Sequence, residues 1–449
     1  MRAGAEGRKG GRAVAGVACV LVLSALPPSR LPAQAVTAIR TGVLIDGRGG
    51  APVRGAVILV RDGRIEAVGT DVRVPQGARV MDWSRYTVLP GFIDAHVHLA
   101  GRPVGEGDWP HGSVTDSPAD DALYGAAAAR ATLLAGFTTV RNVGADGFAD
   151  IALRNAINAG RVPGPRIVAA GHAIGITGGH CDENGYAAGA LGRERGPLEG
   201  VANGPEEFRE AVRLQVKYGA DVIKICATGG VLSQGDQVGA QQMDDDEMAA
   251  AVRTAHLLGR RVAAHAHGTE GIIAASRAGV TSIEHGSFMT EEAARVMVEH
   301  HTWLVPTLMA GWSVGSDSGA ARLPPWAAAK GRQAWAAAQR GVRIAIAAGV
   351  PIAFGTDAGV YPHGQNAREF ELLVRIAGMT PMQAIQTGTL NSATLLGVQD
   401  SLGTVESGKV ADLVAVSGDP LQDISVLRTG IAAVMRSGLL VRLEVMGDR

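Results

Sequence analysis

The chain is poor in aromatic side chains, with only 4% Phe, Trp and Tyr, and it has just 3 cysteines in 449 residues. So few cysteines exclude a disulfide-built scaffold, so the core must come from apolar burial. Charge of either sign is scarce and balanced, with 42 Lys and Arg against 43 Asp and Glu. Without a basic run interleaved with aromatics, no nucleic-acid partner is expected. No low-complexity tract marks a disordered region. The longest apolar run, residues 13–26, falls short of the roughly 20 residues of a membrane span.

That run belongs to an opening segment unlike the rest. Arg2, Arg8, Lys9 and Arg12 precede it, Pro27, Pro28 and Pro32 end it, and Ala33-Gln34-Ala35 supplies small residues before Val36. This is the grammar of a secretory signal over residues 1–35, which implies a periplasmic or secreted protein with no membrane attachment after cleavage. An anchoring helix is the alternative. A lipoprotein reading of Cys19 is weaker, because Gly16 stands where a larger aliphatic residue is expected. Cys181 and Cys226 remain, and an oxidising compartment permits either a disulfide or free thiols beside a metal site.

What is abundant is apolar and small, with 46% hydrophobic residues and 62 glycines. From 36 to 90 the sequence reads as short strands and turns, with Asp62-Gly63 between residues 56–60 and 64–68 as a hairpin signal. Residues 398–449 read the same way, so both ends are expected to build one small β-sandwich domain. Between them, residues 91–397 alternate apolar strands with Ala-rich helices. Strands are expected at 91–98, 138–142, 166–170, 222–226, 261–265, 282–285, 303–305 and 352–355. That alternation predicts an α/β fold, a (β/α)8 TIM barrel, whose functional groups lie at the C-terminal strand ends.

The polar residues fall at those ends. In Asp94-Ala95-His96-Val97-His98 the two imidazoles share one side of a strand and can clamp one ion. Lys224 sits in the apolar run Val222-Ile223-Lys224-Ile225-Cys226, where a lysine must be either paired with a buried acid or chemically modified. Val262-Ala263-Ala264-His265-Ala266-His267-Gly268, Ile283-Glu284-His285-Gly286 and Gly355-Thr356-Asp357-Ala358-Gly359 each end a strand in His or Asp before a small residue. One buried histidine is usually a satisfied core residue; four such strand ends around a buried lysine point to a metal centre.

With Pro90-Gly91-Phe92-Ile93 ahead of the first pair, and Ala227-Thr228-Gly229-Gly230 after Lys224, these motifs resemble the amidohydrolase superfamily. The branch is that of imidazolonepropionase-like proteins, Xaa-Pro dipeptidases and ochratoxin-type amidases. The resemblance implies two divalent metal ions: His96, His98 and Asp357 on one, His265 and His285 on the other, and a carbamate formed from CO2 on Lys224 bridging them. Zinc is the expected ion, with manganese, cobalt and iron as alternatives. It also implies hydrolysis of an amide or peptide bond by a metal-bridging hydroxide, with Asp357 as proton shuttle.

His180, in Thr177-Gly178-Gly179-His180, and His267 are expected to polarise the carbonyl or hold a substrate carboxylate. His172, Tyr361 and His363 are weaker candidates, and Trp312 and Trp326 are candidate walls of an apolar pocket. The expected partner is a small-molecule or dipeptide substrate with a free carboxylate beside the scissile amide. Opening of a cyclic amide, or a non-catalytic metal scaffold, are the alternatives. Family members form homo-oligomers, and the same is expected here.

Overall fold

The computed structural model describes residues 36–107 and 111–443. The expected signal segment and Cys19 lie outside the described residues.

The first strands are β1 (Thr37–Leu44), β2 (Val53–Arg54), β3 (Val57–Arg61), β4 (Arg64–Gly69) and β5 (Arg79–Pro90). The central strands are β6 (Phe92–Val97), β7 (Phe137–Asn142), β8 (Arg166–Ala169), β9 (Val222–Cys226), β10 (Arg261–Ala266), β11 (Ser282–His285) and β12 (Trp303–Val305). The last are β13 (Leu413–Val416), β14 (Ile431–Arg436) and β15 (Leu439–Leu443). Both chain ends enter one 8-stranded mixed sheet, in the order β15-β14-β13-β5-β1-β3-β4 with β2 beside β1. β5 is its hinge, parallel to β1 and antiparallel to β13. Asp62 and Gly63 both take positive φ, 52° and 76°, the geometry that matches a tight turn to strand twist. Ile39, Ile58, Trp83, Val88, Leu413 and Met435 fill the apolar core of this unit.

The centre alternates parallel strands with helices. β6, β7 and β8 form one parallel sheet, and β9, β10, β11 and β12 another. β6, β7 and β9 are buried along their whole length, as strands covered on both faces must be. The connecting helices start and stop by local signals. Asp244 caps Asp245–Leu257 through a reciprocal bond pair with Glu247, and Gly219 ends Gly204–Tyr218 in the left-handed region.

The two sheets approach at both seams. Ile174 N donates to Lys224 O and Cys226 N to Ile174 O, each at 2.8 Å. On the other side, residues 352–355, expected as an eighth strand, form only an isolated bridge at Ile352 with Leu304. Hydrogen bonds nevertheless hold that segment, from Ala353 N to Leu304 O at 3.0 Å and from Ala95 N to Phe354 O at 2.9 Å. Close approach is the reason it is not a regular strand. A Cβ on Gly355 would lie 2.2 Å from Val305 and 2.9 Å from His96, and Asp357 turns to φ 58°. Asp94 pins the turn, accepting from Thr356 Oγ1 at 2.6 Å and Asn366 Nδ2 at 2.9 Å.

A buried polar link joins the sheets through the middle. Arg141 of β7 donates to Ala95 O at 2.5 Å, to Ser282 Oγ at 3.1 Å and to Glu284 Oε1 at 2.8 Å. Arg141 is 1% exposed and Glu284 0%. Burial pushes the Glu284 carboxyl up, yet the Arg141 charge and the His96 hydrogen bond outweigh it and hold the group at about 2. Breaking such a pair strands a charge, which costs about 3–5 kcal/mol, whereas removing both partners is often neutral. Arg141→Met is therefore expected to lower the melting temperature far more than Arg141→Met with Glu284→Gln. Equal losses in the two variants, measured by thermal unfolding, would show that the pair does not carry this load.

Candidate metal centre

His96 and His98 leave the end of β6 on one side. His96 Nδ1 lies 2.7 Å from Glu284 Oε2, and His98 Nδ1 lies 3.1 Å from Gly144 O. A carboxylate and a carbonyl only accept, so each Nδ1 carries a proton, and in the ring's metal-binding form Nε2 is then a bare acceptor. Both Nε2 atoms stand 3.4 Å from Asp357 Oδ1. In that form three acceptors face one another, an arrangement that a cation resolves.

A second group adjoins the first. The ligand atoms of His265, His267 and His285 lie within 4.8 Å of one another, as do those of His96, His285 and Asp357, so His285 belongs to both. His285 Nδ1 is held by Thr307 Oγ1 at 2.7 Å and His267 Nδ1 by Ser287 Oγ at 2.8 Å. His265 Nε2 is buried with no hydrogen-bond partner. Burial, reinforced by the neighbouring imidazoles and Lys224, pushes His265 and His285 well below the usual histidine value. Burial likewise takes His98 to about 4 and His267 to about 3. Neutral imidazole is the form a metal requires. An orphaned nitrogen, converging lone pairs and neutral rings fit a divalent ion.

Lys224 lines the same cavity and has no ion pair among the described residues. Of the two readings open in the sequence, the paired one therefore has no partner here. Burial brings its ammonium down to about 8, although Glu284 and Asp357 oppose the shift. His285, Thr307 and Asp357 all take positive φ, at 73°, 47° and 58°. Strain of this kind persists where the surroundings fix it, and it gathers here at the centre.

The cavity measures about 320 Å³. Its polar floor is His96, His98, Lys224, His265, His267, His285 and Asp357, and its wall includes Val231, Val314, Ala334 and Val360. His180 enters from the loop after β8, its ring centroid 4.1 Å from that of His265. A disulfide between Cys181 and Cys226 ties that loop to the end of β9.

The weaker candidates take other places. His172 accepts from Gly147 N at 3.0 Å, and His363 donates to His98 O at 3.0 Å, bracing the backbone behind the centre. Tyr361 is buried in the apolar core. Trp312 lies under the Arg368 guanidinium at 3.8 Å and packs on the core instead of walling this cavity. Trp326 lines an adjoining cavity of about 430 Å³. Glu284, Arg141, Thr307 and Ser287 went unassigned in the sequence. Arg141 and Glu284 carried the same signal as Lys224, a charge inside an apolar strand; Thr307 and Ser287 carried none.

Residues 87–441 match the model of the amidohydrolase family, and the chain belongs to that family. Its fold is accordingly of the TIM-barrel type, and it is a hydrolase of carbon–nitrogen bonds. It is similar to ochratoxinase from Aspergillus niger, 33% identical over 431 residues that cover 91% of this chain and 87% of that protein. A solved Xaa-Pro dipeptidase with bound methionine in the active site is 41% identical, with a TM-score of 0.86, over 91% of this chain and 100% of the other. A prolidase complexed with N-methylphosphonate-L-proline is 31% identical, with a TM-score of 0.82 and the same coverage.

Partners that orient a ligand typically carry 10–100-fold in metal affinity. Thr307→Val, which keeps shape and removes the bond to His285, is expected to weaken metal binding by about 10-fold in competition with a chelating dye. Unchanged affinity would mean that His285 needs no such support.

Proposed function

We propose that the chain is a binuclear metal-dependent amidase or peptidase that cleaves an amide next to a free carboxylate. The substrate is an Xaa-Pro dipeptide, an N-acyl amino acid or an ochratoxin-like amide. The observation that carries this is the convergence of His96, His285 and Asp357 beside a buried His265 Nε2 that has no hydrogen-bond partner. In this reading His96, His98 and Asp357 hold one ion, His265 and His285 the other, and zinc suits the imidazole-rich set. The likeness to ochratoxinase and to the Xaa-Pro dipeptidase supports the substrate class.

Lys224, as a carbamate, would supply oxygen ligands to both ions. A partly neutral amine at about 8 has the lone pair that attacks CO2. The N–C bond forms as a C–O π pair moves onto oxygen, the proton lost from nitrogen passes to water, and an anion with two ligand oxygens replaces the amine. When bound, the metals polarise the scissile carbonyl and lower the pKa of the attacking water.

The chain's own groups do the rest. Asp357, ionised and aimed at both His96 and His98, takes a proton from the attacking water and gives it to the departing amine nitrogen. His267, held by Ser287, orients the carbonyl. Arg102 on the cavity wall faces the substrate carboxylate while keeping its 2.7 Å pair with Asp116. The apolar wall takes the acyl side chain. We read the two central sheets and their seams as a closed (β/α)8 barrel over residues 91–397, with a small β-sandwich from 36–90 and 398–449. The opening segment makes the protein exported.

The test is chelation followed by reconstitution on a panel of Xaa-Pro dipeptides, N-acyl amino acids and ochratoxin A. Activity is expected to vanish with the metal and return with it, while Asp357→Asn, folded by circular dichroism, stays inactive throughout. A metal-free protein that hydrolyses the panel, or an active Asp357→Asn, would overturn the reading.

A further inference from the structure

A chain of hydrogen bonds outside the ligand set ends on His180. Ser233 Oγ lies 2.8 Å from His180 Nδ1 and 2.8 Å from Asp236 Oδ2. Everything else around Asp236 donates. Lys330 Nζ, from the helix Pro325–Ala347, sits 2.5 Å from Oδ1, and Gly230 N and Gln242 Nε2 each reach Oδ2 at 3.1 Å. Lys330 is itself fixed by the carbonyls of Gly230 at 3.2 Å and Ser233 at 2.8 Å. Burial raises the Asp236 carboxyl, but Lys330 and Ser233 outweigh it and keep the group below its usual value. Asp236 is therefore an acceptor only.

A serine hydroxyl has one proton. Asp236 takes it, so Ser233 Oγ can only accept from His180, and His180 must carry its own proton on Nδ1. In the ring's neutral form Nε2 is then a bare lone pair, and the residue lines the cavity. That atom belongs to neither group of converging ligand atoms and has no hydrogen-bond partner among the described residues.

We propose that Lys330, Asp236 and Ser233 are positioning residues that lock His180 in the Nδ1–H tautomer, so that its Nε2 accepts a hydrogen bond from an N–H of the substrate. The second half rests on the amide-hydrolase reading; the tautomer does not. The donor is either the α-amino group of the acyl residue or the N–H of the scissile amide. This replaces the role expected from the sequence, since a bare Nε2 cannot donate to a carbonyl oxygen or a carboxylate.

The tautomer is read directly by 15N NMR of the metal-free protein labelled in histidine, with His180 assigned through His180→Gln. A pyrrole-type Nδ1 and a pyridine-type Nε2 are expected in the unaltered chain, with the two forms mixed in Ser233→Ala and in Asp236→Asn. Ser233→Thr, which keeps the hydroxyl, is expected to restore the single form. The reconstituted enzyme then separates the donors by comparing alanyl-leucine, alanyl-proline, N-acetyl-leucine and N-acetyl-proline.

Losing the bond is expected to raise KM about 10-fold, with a smaller change in kcat. If the α-amino group is the donor, Ser233→Ala raises KM for both dipeptides. If the amide N–H is the donor, it raises KM for the two leucine compounds. N-acetyl-proline has neither and should keep its KM. An Nε2–H tautomer in the unaltered chain, a tautomer indifferent to Ser233→Ala, an Nε2 signal displaced by added Zn2+, or an equal rise for N-acetyl-proline would each overturn the proposal. Should none of the four compounds be cleaved, the amide-hydrolase reading fails while the NMR still decides the tautomer.

Discussion

The hydrogen bond from His96 to Glu284, with Arg141 clamped behind the carboxylate, is the interaction on which the centre rests. It fixes which nitrogen of His96 bears the proton, and so fixes the direction of the lone pair that meets Asp357. It also binds β6, β7 and β11 across the space between the two central sheets. A charged group in that position is tolerable only because Arg141, Ser282 and His96 satisfy the carboxylate completely. Fold and site are therefore built from one contact: a change that loosened the pair would misdirect His96 as well as part the sheets.

The same device recurs around the cavity with weaker partners. Gly144 O, Thr307 and Ser287 hold the outer nitrogens of His98, His285 and His267. Gly144 O, which only accepts, leaves a neutral His98 bare within, while the two hydroxyls anchor the other rings from outside. Burial keeps these rings neutral, the form a metal requires, and His285, Thr307 and Asp357 take positive φ at the same place. Such a pocket is poorly satisfied as a purely protein structure, with acceptors turned toward acceptors. That dissatisfaction is the physical content of calling it a metal site.

Much of this was legible in the sequence, because the pattern that marks a metal centre is also the pattern of strand ends. His96, His98, His265, His285 and Asp357 each close an apolar run, and period-2 alternation gives their side. Lys224 announced itself by the cost of burying an amine. The supporting partners were less legible. Thr307 and Gly144 act through one oxygen each, and nothing in their neighbours distinguishes them from ordinary loop residues. The eighth strand was expected as regular and is instead a single bridge, because Gly355 lets the chain press against Val305 and His96. His180 was found by its Gly-Gly-His setting, but its direction depends on Ser233, Asp236 and Lys330, which come together only in three dimensions.

The most direct test of the account is anomalous diffraction at the zinc edge from crystals of the zinc-loaded protein. The account predicts two peaks per chain, one among His96, His98 and Asp357 and the other beside His265 and His285, with continuous density from Lys224 between them. Crystals grown in excess zinc that show no peak within this cavity would contradict it.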